Sequence, residues 1–137
     1  MKDLDKIGRI LFAVPFLLFG ISHLMNGPSI ASYVPSYFPF ATLLVYITGI
    51  IFIAVAISML TGKHLIVGLE LLALQLAVFI VFVHIFGGSS SGGFGFSLFN
   101  VDMLKDIALL GATLMMLNRV SSGAFLSGLK GLAGKGM

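Results

Sequence analysis

The stretch LIVGLELLALQLAVFIVFVHIF, residues 65–86, decides the fold. It is the longest apolar run in the chain, and only Glu70, Gln75 and His84 interrupt it. As a helix rising ~1.5 Å per residue it reaches about 33 Å, enough to cross a hydrocarbon layer of ~30 Å. No soluble core needs a helix that is apolar on every side, and in lipid a helix satisfies its own backbone N–H and C=O groups. The run therefore reads as a transmembrane helix, with Glu70 just inside one membrane face and His84 near the other.

Composition extends the argument to the whole chain. Of 137 residues, 58% are hydrophobic and 9% charged, and the mean hydropathy is +1.13. Soluble domains carry roughly 25% charged residues, so the expectation is an integral membrane protein with the bilayer as its first partner. There is no cysteine, which excludes disulfides, thiolate catalysis, Cys-ligated zinc, iron–sulfur clusters and covalently attached haem. Any redox role would need a bound cofactor. The net charge is +3, but Lys and Arg are scattered and form no basic run, so a nucleic-acid partner is not indicated.

Three further apolar segments flank the first. Residues 7–25 follow a charged head, and no small-residue cleavage site closes the run, so it is expected to remain as helix one despite Pro15. Residues 26–40, NGPSIASYVPSYFPF, alternate prolines with Tyr33, Tyr37 and Phe38. Such amphipathic rings favour the membrane boundary, and the segment is expected to lie there as a lid. Residues 41–60 form helix two, and the short link 61–64 forces it into an antiparallel hairpin with helix three. Residues 87–97, GGSSSGGFGFS, read as a flexible loop, and helix four runs from Val101 to between Leu117 and Val120. The glycine-rich stretch 121–137 reads as a cytoplasmic tail, at best a weak surface helix, outside a membrane domain of residues 1–120.

The fold class is thus all-α: a polytopic, four-transmembrane-helix up-down bundle. With four crossings, Lys2, Lys6, Arg9, Lys63, Arg119, Lys130 and Lys135 fall on one side and Lys105 alone on the other. The positive-inside rule then puts both termini in the cytoplasm.

That topology gathers residues distant in sequence. His23 closes helix one, His84 closes helix three, and Asn100, Asp102, Lys105 and Asp106 open helix four, all in the outer third. An ionisable group at membrane depth marks a functional site when it faces the bundle interior. The competing reading has His23 and Lys105 snorkelling to the headgroups, with Asp102 at the positive end of helix four. Helical spacing puts Phe12, Phe16, Gly20 and His23 on one face, and Glu70, Ala77, Val81 and His84 on another. Asp102, Asp106, Leu109 and Thr113 share a third. His23, His84 and Asp106 are the candidate catalytic residues, because imidazole beside carboxylate accepts and passes protons near neutral pH. Lys105, Tyr37 and Tyr33 are the candidate cofactor contacts. Near the opposite face Glu70 and Arg9 lie at comparable depth, and a buried structural ion pair is expected between them. Axial ligation of a b-type haem by the two histidines is disfavoured by their closeness to the lipid boundary. No metal motif, nucleotide loop or nucleophilic triad is present.

Five pieces carry a family resemblance: RILFAVPFLLFGISHL at residues 9–24, YVPSYFP at 33–39, YITGI at 46–50, FVHIF at 82–86 and LKDIALLGATL at 104–114. In this order, across roughly residues 7 to 117, the chain resembles the DoxX-like family. The resemblance implies a four-helix membrane bundle in the inner membrane, in a quinone or redox setting, working with other membrane subunits of electron-transfer or oxidative-stress assemblies. Many members carry an acidic residue soon after the glycine of helix two, where this chain has Ile50, Ile51 and Phe52. Two functions follow as expectations. One is a quinone-linked subunit with an outer-leaflet His/Asp pocket; the other is a non-catalytic membrane partner that anchors or stabilises another protein.

Overall fold

A computed structural model describes residues 2–86 and 101–136; the loop at 87–97 and Asn100 lie outside them. The described chain is all-helical: α1 (Lys2–Met25), the short α2 (Gly27–Ala31), α3 (Ala41–Thr61), α4 (Leu65–Val78) continued by a π-helical segment (Phe79–Ile85), and α5 (Val101–Lys135). Among the described residues four helical stretches are long and apolar enough to cross a membrane: α1, α3, α4 with its π segment, and α5.

Pro15 lies inside α1 without ending it. The α3–α4 link turns in three residues because Gly62 adopts a left-handed φ of 74°, which its missing Cβ permits. The Gly62 N–H donates to Ser58 O at 2.9 Å, and Ser58 Oγ donates to Lys63 O at 2.7 Å. The first bond satisfies a carbonyl of the last helical turn, and the second ties the link back to the helix.

Contacts fix the order of the helices. Gly20 of α1 meets Gly49 and Ile53 of α3, while Arg9 lies over Gly62, so the two run antiparallel. At one end of α4 His84 meets Asp106, and at the other Leu65 shares a cavity with Met116 and Val120, so α4 and α5 are also antiparallel. The order is α1, α3, α4, α5. Among the described residues no backbone of α1 approaches α5 closely, and that seam is crossed by side chains instead, Arg119 to Asp5 and Lys105 over Phe19. The core between them consists of Ala13, Phe16, Phe52, Val55, Ala56, Met59, Leu69, Leu72 and Leu76. Leu, Ile, Val and Phe side chains left outside it are exposed over most of the surface, as a bilayer solvent requires.

Three expectations are corrected. α5 does not stop near Leu117 or Val120 but continues to Lys135, so the tail is an extension of the last helix. No proline interrupts residues 101–135, and Gly123, Gly128, Gly131 and Gly134 occur singly among Ala and Leu, each costing only about 1 kcal/mol relative to Ala. The stretch 26–40 includes a helical turn, α2, with Pro28 in its first turn, a position where the missing N–H has no intrahelical acceptor. The expected ion pair of Arg9 with Glu70 is absent: the described ion pairs are His84–Asp106, Lys105–Asp102 and Arg119–Asp5. Glu70 is exposed beside Val67, Leu71 and Leu74 on the outer face of α4, while Arg9 turns toward Gly62.

Candidate functional site

An ideal α-helix places residues 70 and 84 within about 40° of each other, because fourteen steps of ~100° nearly close on the starting direction. The structure separates them: Glu70 is exposed and His84 is 5% exposed. The cause is the π segment Phe79–Ile85, where the Phe86 N–H reaches back five residues to Val81 O at 3.0 Å. Each such turn takes up about one residue more than an α turn, so later side chains lag by about 100°. The lag swings His84 off the lipid face and into the bundle.

There His84 Nε2 lies 3.0 Å from Asp106 Oδ2, and both side chains are buried. An ionised carboxylate only accepts, so Nε2–H is the donor in that state. Asp106 comes inward because the buried residues of α5, Met103, Asp106 and Thr113, are spaced by three and seven, one and two helical turns. Below it, Thr113 Oγ1 donates to Leu109 O at 2.7 Å, so this hydroxyl is satisfied within its own helix.

His23 stands across from this pair on α1. Its Nδ1 lies 2.7 Å from Phe19 O, and its ring meets Phe52 edge-on at 5.5 Å. A carbonyl only accepts, so Nδ1 carries the hydrogen and Nε2 is the acceptor of the neutral ring. His23 forms the wall between two cavities. The smaller, about 130 Å³, is lined by His23, Lys105, Asp106, Phe19, Phe52 and Phe79. The larger, about 270 Å³, lies beneath the 26–40 segment, with Tyr33, Phe38, Thr48, Phe79 and Phe82 among its lining residues. Its walls are apolar and aromatic apart from His23, Tyr33 and Thr48.

Of the sequence candidates, His84 and Asp106 bond directly, His23 and Lys105 share the small cavity with Asp106, and Tyr33 lines the larger one. Tyr37 does neither: its hydroxyl donates to Phe82 O at 2.6 Å and fastens the covering segment to the π turn. Lys105 pairs with Asp102 at 3.2 Å and stands 5.6 Å from the Phe19 ring centre, combining an exposed ion pair with a cation–π contact. The aromatic walls Phe19, Phe52 and Phe79 were not among the candidates. The recurrence of Phe12, Phe16 and Phe19 at helical spacing is the signal that points to them. Gln75 is a polar link of the core: its Nε2 donates to Thr48 O at 3.4 Å across the α3–α4 contact.

Among the described residues no group of three or more His, Cys, Asp or Glu side chains is arranged to hold a metal ion. Compared with models of known protein families, with curated proteins and with solved structures, the chain matches none.

Proposed function

We propose that this chain is a DoxX-like subunit of an electron-transfer assembly in the inner (cytoplasmic) membrane, which binds a quinone head group beneath the 26–40 segment. The observation that carries the reading is the buried His84–Asp106 hydrogen bond beside the cavities walled by His23. A quinone offers a flat apolar ring and two carbonyl acceptors. The larger cavity fits the ring, with aromatic and aliphatic walls; at its edge Tyr33 carries a hydroxyl, and His23, whose neutral Nε2 accepts, would take the hydrogen bond of a quinol hydroxyl. When bound, a quinone supplies two-electron chemistry coupled to protons. This chain's residues would position the ring between Phe79, Phe82 and Phe38, exclude water through the covering segment, and hold a proton at His84 Nε2 in its hydrogen bond to Asp106.

The test is native mass spectrometry of the detergent-extracted protein, together with crosslinking by a photoreactive quinone analogue. Retained quinone, with crosslinks confined to residues 23–48 and 78–83, supports the reading. A chain that retains none and crosslinks nowhere in the cavity rejects it.

Exposed Glu70 favours a second reading, a membrane partner that anchors or stabilises another protein. A carboxyl at membrane depth is costly among lipid tails and is satisfied by a polar or cationic group on a neighbouring helix. A chain inert toward quinones that co-purifies stoichiometrically with one other membrane protein supports this reading.

A further inference from the structure

A third cavity, about 560 Å³, lies at the opposite end of the bundle from His23 and His84 and belongs to neither reading above. It opens where the first turns of α1 diverge from residues 115–120 of α5. Lys2, Asp5, Lys6 and Arg9 reach it from α1 at the spacing of a single helix face. Met115, Met116, Arg119 and Val120 reach it from α5, and Leu65 closes it from α4.

Charge and polarity are both unbalanced there. Four cations, Lys2, Lys6, Arg9 and Arg119, line the cavity against the single carboxylate Asp5. Asp5 is already taken, with its Oδ1 2.8 Å from Arg119 Nη1. Among the described residues Lys2, Lys6 and Arg9 form no ion pair. Cations gathered at the end of a membrane helix could serve orientation alone, but orientation does not require them to converge on one cavity from two helices. About one turn deeper than Arg119 the wall becomes apolar with Met115 and Met116, and the cavity continues the seam along which the backbones of α1 and α5 fail to meet. A site with cations at headgroup level above an apolar slot matches an amphiphile that has an anionic head and hydrocarbon chains.

We infer that this cleft binds one anionic glycerophospholipid, with its phosphodiester among Lys6, Arg9 and Arg119 and an acyl chain along Met115 and Met116 in the seam between α1 and α5. A zwitterionic lipid is a poorer occupant, because it brings an ammonium group into a cluster of cations. A free phosphate leaves the methionine-lined slot unfilled. The bound lipid fills the gap between the backbones of α1 and α5, adding to the side-chain contacts that already cross it, Arg119–Asp5 and Lys105–Phe19.

The test titrates the full chain in neutral detergent with phosphatidylglycerol or phosphatidylcholine of identical chains, and reads the retained lipid by native mass spectrometry. One phosphatidylglycerol is expected to bind, to raise the unfolding temperature, and to resist an excess of inorganic phosphate. Lys6→Gln/Arg9→Gln should weaken it about 25-fold, roughly fivefold for each cation removed, while Lys130→Gln/Lys135→Gln removes equal charge outside the cavity and should leave it unchanged. If the double variant does not extract as folded protein, Lys6→Gln alone, at an exposed site with no ion pair, should give the fivefold loss. The inference is overturned by equal retention of phosphatidylcholine, or by affinity unchanged in the Lys6 variant. An equal loss in the Lys130/Lys135 control, showing only diffuse attraction, also overturns it. So does displacement by inorganic phosphate, which marks a site for soluble anions.

Discussion

Gly20 and Gly49 meet backbone to backbone: a Cβ placed on Gly20 would fall 2.7 Å from the Gly49 carbonyl oxygen, and one on Gly49 would fall 2.8 Å from the Cβ of His23. Small residues let membrane helices approach this closely, and here the approach also sets how far His23 stands from α3. Gly20→Ala must move backbone, since Ile53 N lies 3.0 Å from the new methyl, and it should destabilise the bundle by about 1–3 kcal/mol. Gly111→Ala, with nothing within 4 Å, should be neutral or stabilising by up to about 1 kcal/mol. Thermal unfolding in detergent measures both. Equal effects at the two positions would remove the close-approach argument.

Asp106→Leu takes the partner from buried His84. A hydrogen bond to a charged group contributes about 1.5–3 kcal/mol, and a loss of that order is expected. Asp106→Asn keeps an acceptor oxygen and should lose less. Adding His84→Leu to Asp106→Leu should recover part of the loss, because the buried imidazole whose bond to the carboxylate is lost is then replaced by an apolar side chain. Strict additivity in this cycle would mean that the two side chains do not interact.

Glu70→Leu should change the stability of the isolated chain by no more than about 0.5 kcal/mol, or improve it, because the carboxyl has no ion-pair partner among the described residues. Combined with Arg9→Gln, its effect should be additive. If a partner protein covers this face, the same Glu70→Leu change should reduce co-purification while leaving the bundle folded.

Tyr37→Phe removes only the bond to Phe82 O, a net contribution of about 0.5–1.5 kcal/mol. The loss should appear locally, as faster amide exchange in the π segment and residues 32–40, with α1 and α3 unaffected. A uniform change across the four spans would assign the bond to global stability instead.

Orientation is open to direct labelling, since the chain has no cysteine. Ser36→Cys should react with an impermeant maleimide from outside the cell and Thr61→Cys only after permeabilisation; both positions are exposed. The reverse pattern would put the His23 end in the cytoplasm.

The spans were legible because apolar length is a property of consecutive residues: α3, expected over 41–60, forms at Ala41–Thr61, and residues 65–86 contain the α4–π span. Pro15 was read through correctly because one lost backbone bond does not outweigh a whole span's need to satisfy its backbone inside lipid. The errors arose where the outcome depended on more than the local pattern. The stretch beyond Val120 was read from its glycines, but a helix already propagating adds a residue more readily than a new one nucleates. The Arg9–Glu70 pairing came from depth alone, and depth says nothing about direction around the helix axis. Glu70 and His84 were assigned a common face by counting α turns, and the wide turn that separates them has no marker in FIVFVHI.

That wide turn has a consequence for how the protein sets the position of its buried histidine. Depth in the bilayer follows from the number of residues between Leu65 and His84, and azimuth follows from the width of the last turns. The two coordinates are therefore adjusted separately. A one-residue deletion within Phe79–Val83 that restored α winding would leave the imidazole near its present azimuth and depth, because it removes the residue that the wide turn takes up, whereas a one-residue deletion between Leu65 and Val78 that kept the wide turn would rotate it by about a quarter turn, out of reach of Asp106.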